Sequence, residues 1–282
     1  MNDSHHHHLA DTKQRLQRLF QLPEPRISLA DAALWIAASQ YPHLDHSKYL
    51  RRLDAMAETV EQRIPQWTDP LQVITEINRH LFDEQGFCGN SQDYYDPRNS
   101  FLNDVLDRKT GIPIMLSTVY LEIADRLRFP LVGVGLPGHF LVKHPYFELL
   151  IDPFSHGSIL TEAECRQRMQ HVLGDSVPFH KSYLEGVSKL HTVTRMLNNL
   201  RSVYLNARQF PKALEMTELV LALHPDSAED WRQKAAFLLE ARRYAEALAA
   251  LNFYLELAPQ AEDAKELQET ARNLRRTLAQ LN

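Results

Sequence analysis

The hydrophobic positions between residues 9 and 81 recur at helical spacing. One apolar stripe typical of an amphipathic helix consists of Tyr49, Leu50, Leu53, Met56 and Val60. Ser28 and Asp31 resemble a capping box at the start of a helix over 29–40. Asp69-Pro70 is a favourable N-cap and first-turn pair for the next helix. Residues 9–81 are therefore predicted to be mainly helical.

The middle of the chain changes from loop to helix to strand. Residues 86–99 are rich in Gly, Asn and Pro, which indicates a loop, and their aromatic side chains indicate that the loop is packed. Pro113 fits the first turn of a helix over 113–127, because this position needs no backbone N–H. Residues 131–134 then read as a buried strand, and residues 139–144 and 147–152 as a hairpin.

The turn of this hairpin determines which residues face each other. A tight turn at Pro145-Tyr146 sets His139 opposite Asp152 and Leu141 opposite Leu150, so that charged and apolar residues both find matching partners. A longer loop with a shifted register is the alternative, because Pro-Tyr suits a primed turn poorly. The tight register is the one predicted.

From about residue 190 the chain repeats itself. Phe210 and Leu214 recur as Tyr244 and Leu248, each 34 residues later. This period is typical of tetratricopeptide repeats, here predicted over 193–226 and 227–260 with a capping helix over 261–280. Polar residues on the first repeat helix either contact a partner or form a solvated or inter-helix face, and they are Asn198, Asn199 and Arg201.

Composition and charge limit the possible functions. A formal net charge of -5 gives no basis for electrostatic binding to nucleic acid. No apolar run approaches the length of a membrane span, and the first residues lack the layout of a signal peptide. Cys88 and Cys165 are far apart and form no metal or redox motif. These features predict a cytoplasmic protein with reduced thiols that binds neither nucleic acid nor membranes.

His139 and Asp152 offer the chemistry of a catalytic pair. An acidic partner on one imidazole nitrogen fixes the tautomer and raises the basicity of the other nitrogen. Such a pair needs a nucleophile, and the candidates are Cys88 in the loop and the hydroxyl groups of Thr110 and Ser117. The alternative is a buried, hydrogen-bonded pair that holds the hairpin to the helix.

No metal site and no cofactor are expected. His139, His144, His156 and Asp152 are close in sequence, but no HxH or HxxxH spacing orders them. Adjacent strand positions also point to opposite faces of a sheet, which separates neighbouring ligands.

Four motifs resemble the bacterial SirB-type proteins: Phe87-x-Gly89-Asn90, residues 99–114, residues 135–142 and residues 151–154. The resemblance covers residues 25–265. It implies an α+β fold, with a papain- or transglutaminase-like core in which a helix packs on an antiparallel sheet. A helical region precedes this core and all-α tetratricopeptide repeats follow it. The expected boundaries are 1–25 for an N-terminal tail and helix, 26–185 for the core and 190–282 for the repeats.

The resemblance also suggests roles for individual residues. On the transglutaminase pattern, His139 and Asp152 align with the catalytic His and Asp, whereas Pro113 stands where the nucleophilic Cys would be. Ordinary transglutaminase or cysteine protease activity is therefore not expected. Candidates for lining the cleft are Asn90, Tyr94, Asn99, Pro113 and Gly138.

Three functions are compatible with these observations. The favoured one is a non-catalytic, regulatory module that binds a protein or peptide partner through its cleft and repeats. The second is a cysteine-type hydrolase or acyltransferase that uses the displaced nucleophile Cys88 with His139 and Asp152. The third is acid–base catalysis by His139 and Asp152 on a bound small molecule, without covalent chemistry. The loop that carries Asn90, Tyr94 and Tyr95 would line the pocket.

Overall fold

The computed structural model describes residues 2–64 and 69–281, with the backbone alone for residues 2–7 and 281. Met1, residues 65–68 and Asn282 lie outside the described residues, and so do those ends of the expected regions 1–25 and 190–282. The chain forms two compact units. The first contains residues 18–196 together with the first few residues, and the second contains residues 9–17 and 197–281.

Four helices form the N-terminal third of the chain: α1 (Asn2–Leu19), α2 (Leu29–Ala38), α3 (His46–Glu61) and α4 (Pro70–Asn78). The predicted caps are present. Ser28 accepts the backbone N–H of Asp31 at 3.0 Å, and Asp69 accepts that of Leu71 at 2.9 Å. The sequence pattern did not predict the π-helical turn Arg79–Glu84 that continues α4.

Helix α6 (Pro113–Arg126) lies at the centre of the first unit, after α5 (Leu102–Arg108). Every residue from Pro113 to Ala124 is buried, as expected for an apolar helix that is surrounded on all sides. It packs against α2, α3, α5 and the sheet described below. The one buried carboxylate of α6, on Glu122, accepts the backbone N–H of Ala30 at 2.8 Å and pairs with Arg126 at 2.6 Å.

Five short strands form an antiparallel sheet in the order β6-β5-β4-β3-β7. They are β3 (Val132–Val134), β4 (Leu141–Lys143), β5 (Leu150–Asp152), β6 (Ser158–Leu160) and β7 (Gly186–Val187). A capping box formed by Thr161 and Glu164 begins helix α7 (Glu162–Leu173) after β6. Cys165 and Met169 of α7 share a core cluster with Val134 and Leu141 of the sheet. A second, parallel pair joins β1 (Cys88–Gly89) to β2 (Thr110–Gly111).

The predicted register of the β4–β5 hairpin is wrong. Val142 pairs with Ile151 and Lys143 with Leu150, which is the longer-loop alternative. The proline ring fixes φ near −65°, whereas the first position of a primed turn requires a positive φ. The connection therefore widens to residues 144–149, where the backbone N–H of Tyr146 donates to His144 Nδ1 at 3.2 Å.

The repeat helices are α8 (Lys189–Asn206), α9 (Phe210–Leu223), α10 (Ala228–Glu240), α11 (Tyr244–Leu257) and α12 (Ala264–Leu281). Arg208 and Arg242 are at equivalent positions of the 34-residue period and have similar positive φ, 54° and 56°. The two turns therefore share this backbone conformation. The prediction of C-terminal helical repeats is confirmed.

Residues 9–17 of α1 belong to the second unit. Leu16 is completely buried there, and Gln17 Nε2 donates to the carbonyl oxygen of Ala222 at 3.1 Å. Lys13 pairs with Glu218, whose second carboxylate oxygen lies 3.1 Å from Lys234 Nζ. Burial alone would raise the pKa of Glu218, but the two ammonium groups outweigh this effect and lower it.

Candidate functional site

His139 and Asp152 form a hydrogen-bonded pair. His139 lies just before β4 and Asp152 ends β5, and the distance from Nε2 of His139 to Oδ1 of Asp152 is 3.0 Å. Asp152 is completely buried, and the His139 side chain is 10% exposed. The two residues are diagonal neighbours in the observed register rather than opposite each other, a separation that a long side chain can span.

The Asp152 carboxylate has two further partners. Its Oδ1 accepts the backbone N–H of Phe154 at 3.0 Å, and its Oδ2 lies 2.8 Å from Arg168 Nη1 on α7. Burial raises the pKa of Asp152, but the hydrogen bond and charge of His139, together with the charge of Arg168, outweigh this effect and lower it. Asp152 is therefore a carboxylate that ties the hairpin to α7. No local sequence signal pointed to Arg168, because it belongs to another element.

Arg195 of α8 contacts the turn that precedes His139. Arg195 Nη2 donates to the carbonyl oxygens of Leu136 and His139, at 2.8 and 2.7 Å. Gly138, between them, has φ of +76°, and a Cβ at this position would lie 2.7 Å from Val172 Cγ1. Both observations explain why glycine is required here. Gly138, an expected cleft residue, therefore shapes the turn that presents His139.

Pro113 is the first residue of α6, as predicted, and is buried. The nearby hydroxyl groups are engaged with backbone carbonyls. Ser117 Oγ donates to Phe140 at 3.4 Å, and Thr118 Oγ1 donates to Ile114 at 2.7 Å. The helix N-terminus that should activate a nucleophile thus carries a proline ring.

Cys88 lies on β1, where its Sγ is 3.7 Å from the hydroxyl oxygen of Thr110. Thr110 itself donates to the carbonyl oxygen of Arg108 at 3.2 Å. The Phe154 ring packs so closely on Gly89 that a Cβ there would be 2.5 Å from the ring, and it also meets the His139 ring edge-on with centroids 5.8 Å apart. One aromatic ring therefore contacts both the strand of Cys88 and His139.

Asn90 and Asn99 hold the loop in place. Asn99 is completely buried, and its Nδ2 donates to the carbonyl oxygen of Asp93 at 2.7 Å. Its Oδ1 accepts from Asn90 Nδ2 at 3.2 Å. Tyr94, in the same loop, is 37% exposed and meets Tyr95 edge-on. Burial raises the pKa of Tyr94. Among the expected cleft residues Asn90, Tyr94 and Asn99, Tyr94 is the most exposed, and the adjacent Tyr95 is more exposed still at 63%.

The remaining metal and thiol candidates have packing roles. His144 contacts the rings of Phe129 and Phe147, and His156 stacks on Phe82. Among the side chains that the structure describes (residues 8–64 and 69–280), no three of His, Cys, Asp or Glu converge as metal ligands would. Cys165 is completely buried, which raises the pKa of its thiol to about 11. Within the same ranges, no helix is both long and apolar enough to cross a membrane.

Comparison with known proteins identifies both parts of the chain. A model of the transglutaminase-like superfamily matches residues 47–198, and a tetratricopeptide-repeat model matches residues 200–272. The UPF0162 protein of Xylella fastidiosa is 35% identical over 249 residues, which cover 86% of this chain and 88% of that protein. Protein SirB1 of Salmonella typhimurium is 22% identical over 74% of this chain and 78% of its own length. The chain belongs to the SirB-type family of transglutaminase-like proteins.

Relatives of this SirB-type chain also occur in mammals. F-box only protein 21 of Mus musculus is 33% identical over 187 residues, which cover 61% of this chain but 28% of that protein. A segment similar to the SirB-type chain thus forms part of a longer protein. The combination of a transglutaminase-like domain with tetratricopeptide repeats indicates a protein-interaction module.

Proposed function

We propose that this SirB-type chain is a non-catalytic, regulatory protein of the bacterial cytoplasm that binds a protein or peptide partner through its cleft and repeats. The observation that carries the proposal is Pro113 at the first position of α6. In a cysteine enzyme, the partial positive charge of this helix end lowers the pKa of the nucleophilic thiol. A proline side chain has no nucleophilic atom to activate.

The surroundings of Asp152 support the same proposal. A catalytic base draws its basicity from a carboxylate whose charge acts mainly on the imidazole. Here the carboxylate is shared between His139 and the Arg168 guanidinium, which lies 2.8 Å from Oδ2. The cation neutralises much of the charge that His139 would otherwise feel, so the pair suits a structural role better than proton abstraction.

The repeats offer polar side chains for a partner. Arg201 is unavailable, because it pairs with Asp230 of α10 within the second unit. Asn199 is half-buried and makes no side-chain hydrogen bond to the described residues. Asn198, next to it, has a buried Oδ1 without a partner. These two asparagines on α8 are the contacts that we assign to a bound protein.

The proposal is tested by affinity capture with the full-length chain and quantitative mass spectrometry. We expect wild type and His139→Ala to enrich one protein to the same extent. Asn199→Arg should enrich it at least about tenfold less, because a charge inserted into an interface core weakens binding strongly. Gln280→Arg on the exposed face of α12 is the matched control and retains the partner. Equal enrichment by Asn199→Arg and wild type, or loss with His139→Ala alone, would contradict the assignment.

A further inference from the structure

The loop between β4 and β5 is held by a side chain as well as by its backbone. The backbone N–H of His144 donates to the carbonyl oxygen of Leu149 at 3.2 Å. The imidazole of His144 contacts the same loop, because its Nδ1 accepts the backbone N–H of Tyr146 at 3.2 Å. Pro145, between the two residues, has no N–H to donate. The imidazole therefore holds the first half of the loop.

This contact determines the protonation state of the imidazole. A backbone N–H is a donor, so Nδ1 of His144 is deprotonated and acts as the acceptor. The proton of the neutral ring is therefore on Nε2. A second proton binds at Nδ1, and the imidazolium that results has two donors and no acceptor. Protonation of His144 therefore breaks its hydrogen bond to Tyr146.

The surroundings of His144 favour the neutral ring. The residue is 3% exposed. The rings of Phe129, Phe147 and Tyr146 lie around it, with centroids 5.2, 4.6 and 5.9 Å from that of the imidazole. Burial lowers the pKa of His144, because the charged imidazolium would lose its water there. The neutral ring, which makes the hydrogen bond, is therefore the favoured form in the folded protein at neutral pH.

Charged groups near His144 give the imidazolium no surplus of negative charge. Those that line a cavity together with it come from α3 and from the end of α6, and those on its own hairpin flank the loop: Glu61, Arg126 and Arg128 in the cavity, and Lys143 and Glu148 on the hairpin. Arg126 is already paired with Asp54 and Glu122. The charges of Glu61 and Arg128 are opposite, and so are those of the two hairpin residues.

The loop presents two aromatic side chains on the surface. Tyr146 is 82% exposed and Phe147 is 50% exposed. Both rings contact the imidazole of His144, and Tyr146 is also bonded to it through its backbone. The position of the two aromatic side chains therefore depends on the protonation state of His144.

We propose that His144 is a pH-sensitive switch for the loop at residues 144–149, in which the neutral ring holds the loop closed and protonation in mildly acidic conditions releases it together with Tyr146 and Phe147. The inference goes beyond the proposed function, because the loop contains none of the candidate cleft residues and lies outside the repeats. It does not depend on whether the chain captures a cellular partner.

The test is an NMR titration of the full-length, isotope-labelled chain from pH 7.5 to 4.5. We expect the ring signals of His144 to titrate with a midpoint below the ordinary histidine pKa of about 6.5. The amide proton of Tyr146 should shift with the same midpoint, because it loses its acceptor. The order parameters of the Tyr146 and Phe147 amides should fall from about 0.85 to below about 0.6.

His144→Asn is the matched control. The side-chain oxygen of an asparagine accepts the backbone N–H two residues further on, as in an Asx turn, and it does not titrate. The variant should therefore keep the order parameters of wild type at pH 7.5 and retain them at pH 4.5. The wild-type comparison of the His144 ring with the Tyr146 amide stands whether or not the variant folds.

Four results would overturn the proposal. One is a His144 midpoint above about 6.5, as expected if cation–π contacts with the aromatic rings outweigh burial. Another is a ring that does not titrate above pH 4.5. The third is a Tyr146 amide that keeps its shift and order parameter while His144 titrates. The last is a folded His144→Asn variant whose loop loosens with acid as much as that of wild type.

Discussion

His139 Nε2 lies 3.0 Å from Oδ1 of Asp152, and the opposite oxygen of this fully buried carboxylate lies 2.8 Å from Arg168 Nη1. One side chain therefore links the start of β4, the end of β5 and helix α7. A buried carboxylate with two basic partners is a strong local constraint, because removal of the carboxylate takes both contacts away at once. His139 and Asp152 have the chemistry of a catalytic dyad, but their contacts connect three elements of the fold.

Replacement of the central carboxylate should destabilise the protein. We expect Asp152→Asn to lower the free energy of unfolding by about 2 kcal/mol at pH 7, because a fully buried carboxylate loses its contacts to His139 and to the partly exposed Arg168. Urea denaturation followed by circular dichroism measures this value. Asp175→Asn, at an exposed position after α7, serves as the control and should change stability by less than about 0.5 kcal/mol. Similar changes in the free energy of unfolding for the two variants would show that Asp152 does not stabilise the fold.

The same pair predicts a pH dependence. The pKa of Asp152 is lower in the folded protein than its ordinary value, so its contribution to stability is complete above the unfolded pKa of about 3.9. This contribution is lost as the pH falls through the folded pKa. The difference in unfolding free energy between wild type and Asp152→Asn should therefore be constant from pH 7 to 5 and shrink below pH 4. A difference that stays unchanged down to pH 3 would contradict the lowered pKa.

Gly138 should tolerate substitution less well than another glycine of similar backbone conformation. Gly138 and Gly86 have φ of +76° and +74°, but a Cβ on Gly86 would meet no atom within 4 Å. We expect Gly86→Ala to cost about 1 kcal/mol of stability and Gly138→Ala about 2 kcal/mol or more, since the latter also clashes with Val172. The double variant Gly138→Ala with Val172→Ala should recover the difference, and equal costs for both glycines would show that Val172 does not restrict the turn.

Substitution by leucine should cost far more stability at Asn99 than at Asn103, the neighbouring asparagine in α5. Asn99→Leu removes the hydrogen bonds that the buried Asn99 amide makes with the carbonyl oxygen of Asp93 and with Asn90, at a cost of about 2 kcal/mol. Asn103→Leu removes a side-chain oxygen that has no hydrogen-bond partner among the described residues, and it should change stability by less than about 0.5 kcal/mol. Chemical denaturation of both variants measures the contrast. An equally large loss for Asn103→Leu would mean that its amide is already paired within the fold.

The sequence predicted those features that depend on local spacing. The 34-residue period located α9 and α11, and Ser28 and Asp69 marked helix starts, because caps and repeat contacts lie close in the chain. The β4–β5 register was mispredicted because the connection is longer than the two-residue turn at 145 and 146, and the sequence does not specify its length. Arg168 and Arg195 were missed for a different reason. They reach the site from α7 and α8, and no periodicity or motif connects them to His139.

The missing hydrogen bond at the buried Oδ1 of Asn103 could not be predicted from the sequence either. An asparagine near the start of a short helix is ordinary, and only the packing of α5 against the α2–α3 connection shows that its Oδ1 lacks a partner. Asn99, four residues away, has the same residue type but the opposite environment. Both are buried, so hydrogen bonding, rather than burial or residue type, separates the two.

The alkylation rate of Cys88 shows whether this SirB-type chain has an activated nucleophile, which we propose it lacks. The rate with iodoacetamide is measured from pH 5 to 9 in wild type and in His139→Ala, with peptide mass spectrometry to separate Cys88 from the buried Cys165. We expect the two proteins to give the same rate within about twofold at every pH. Alkylation of Cys88 that is fast below pH 7 in wild type and about tenfold slower in folded His139→Ala would contradict it.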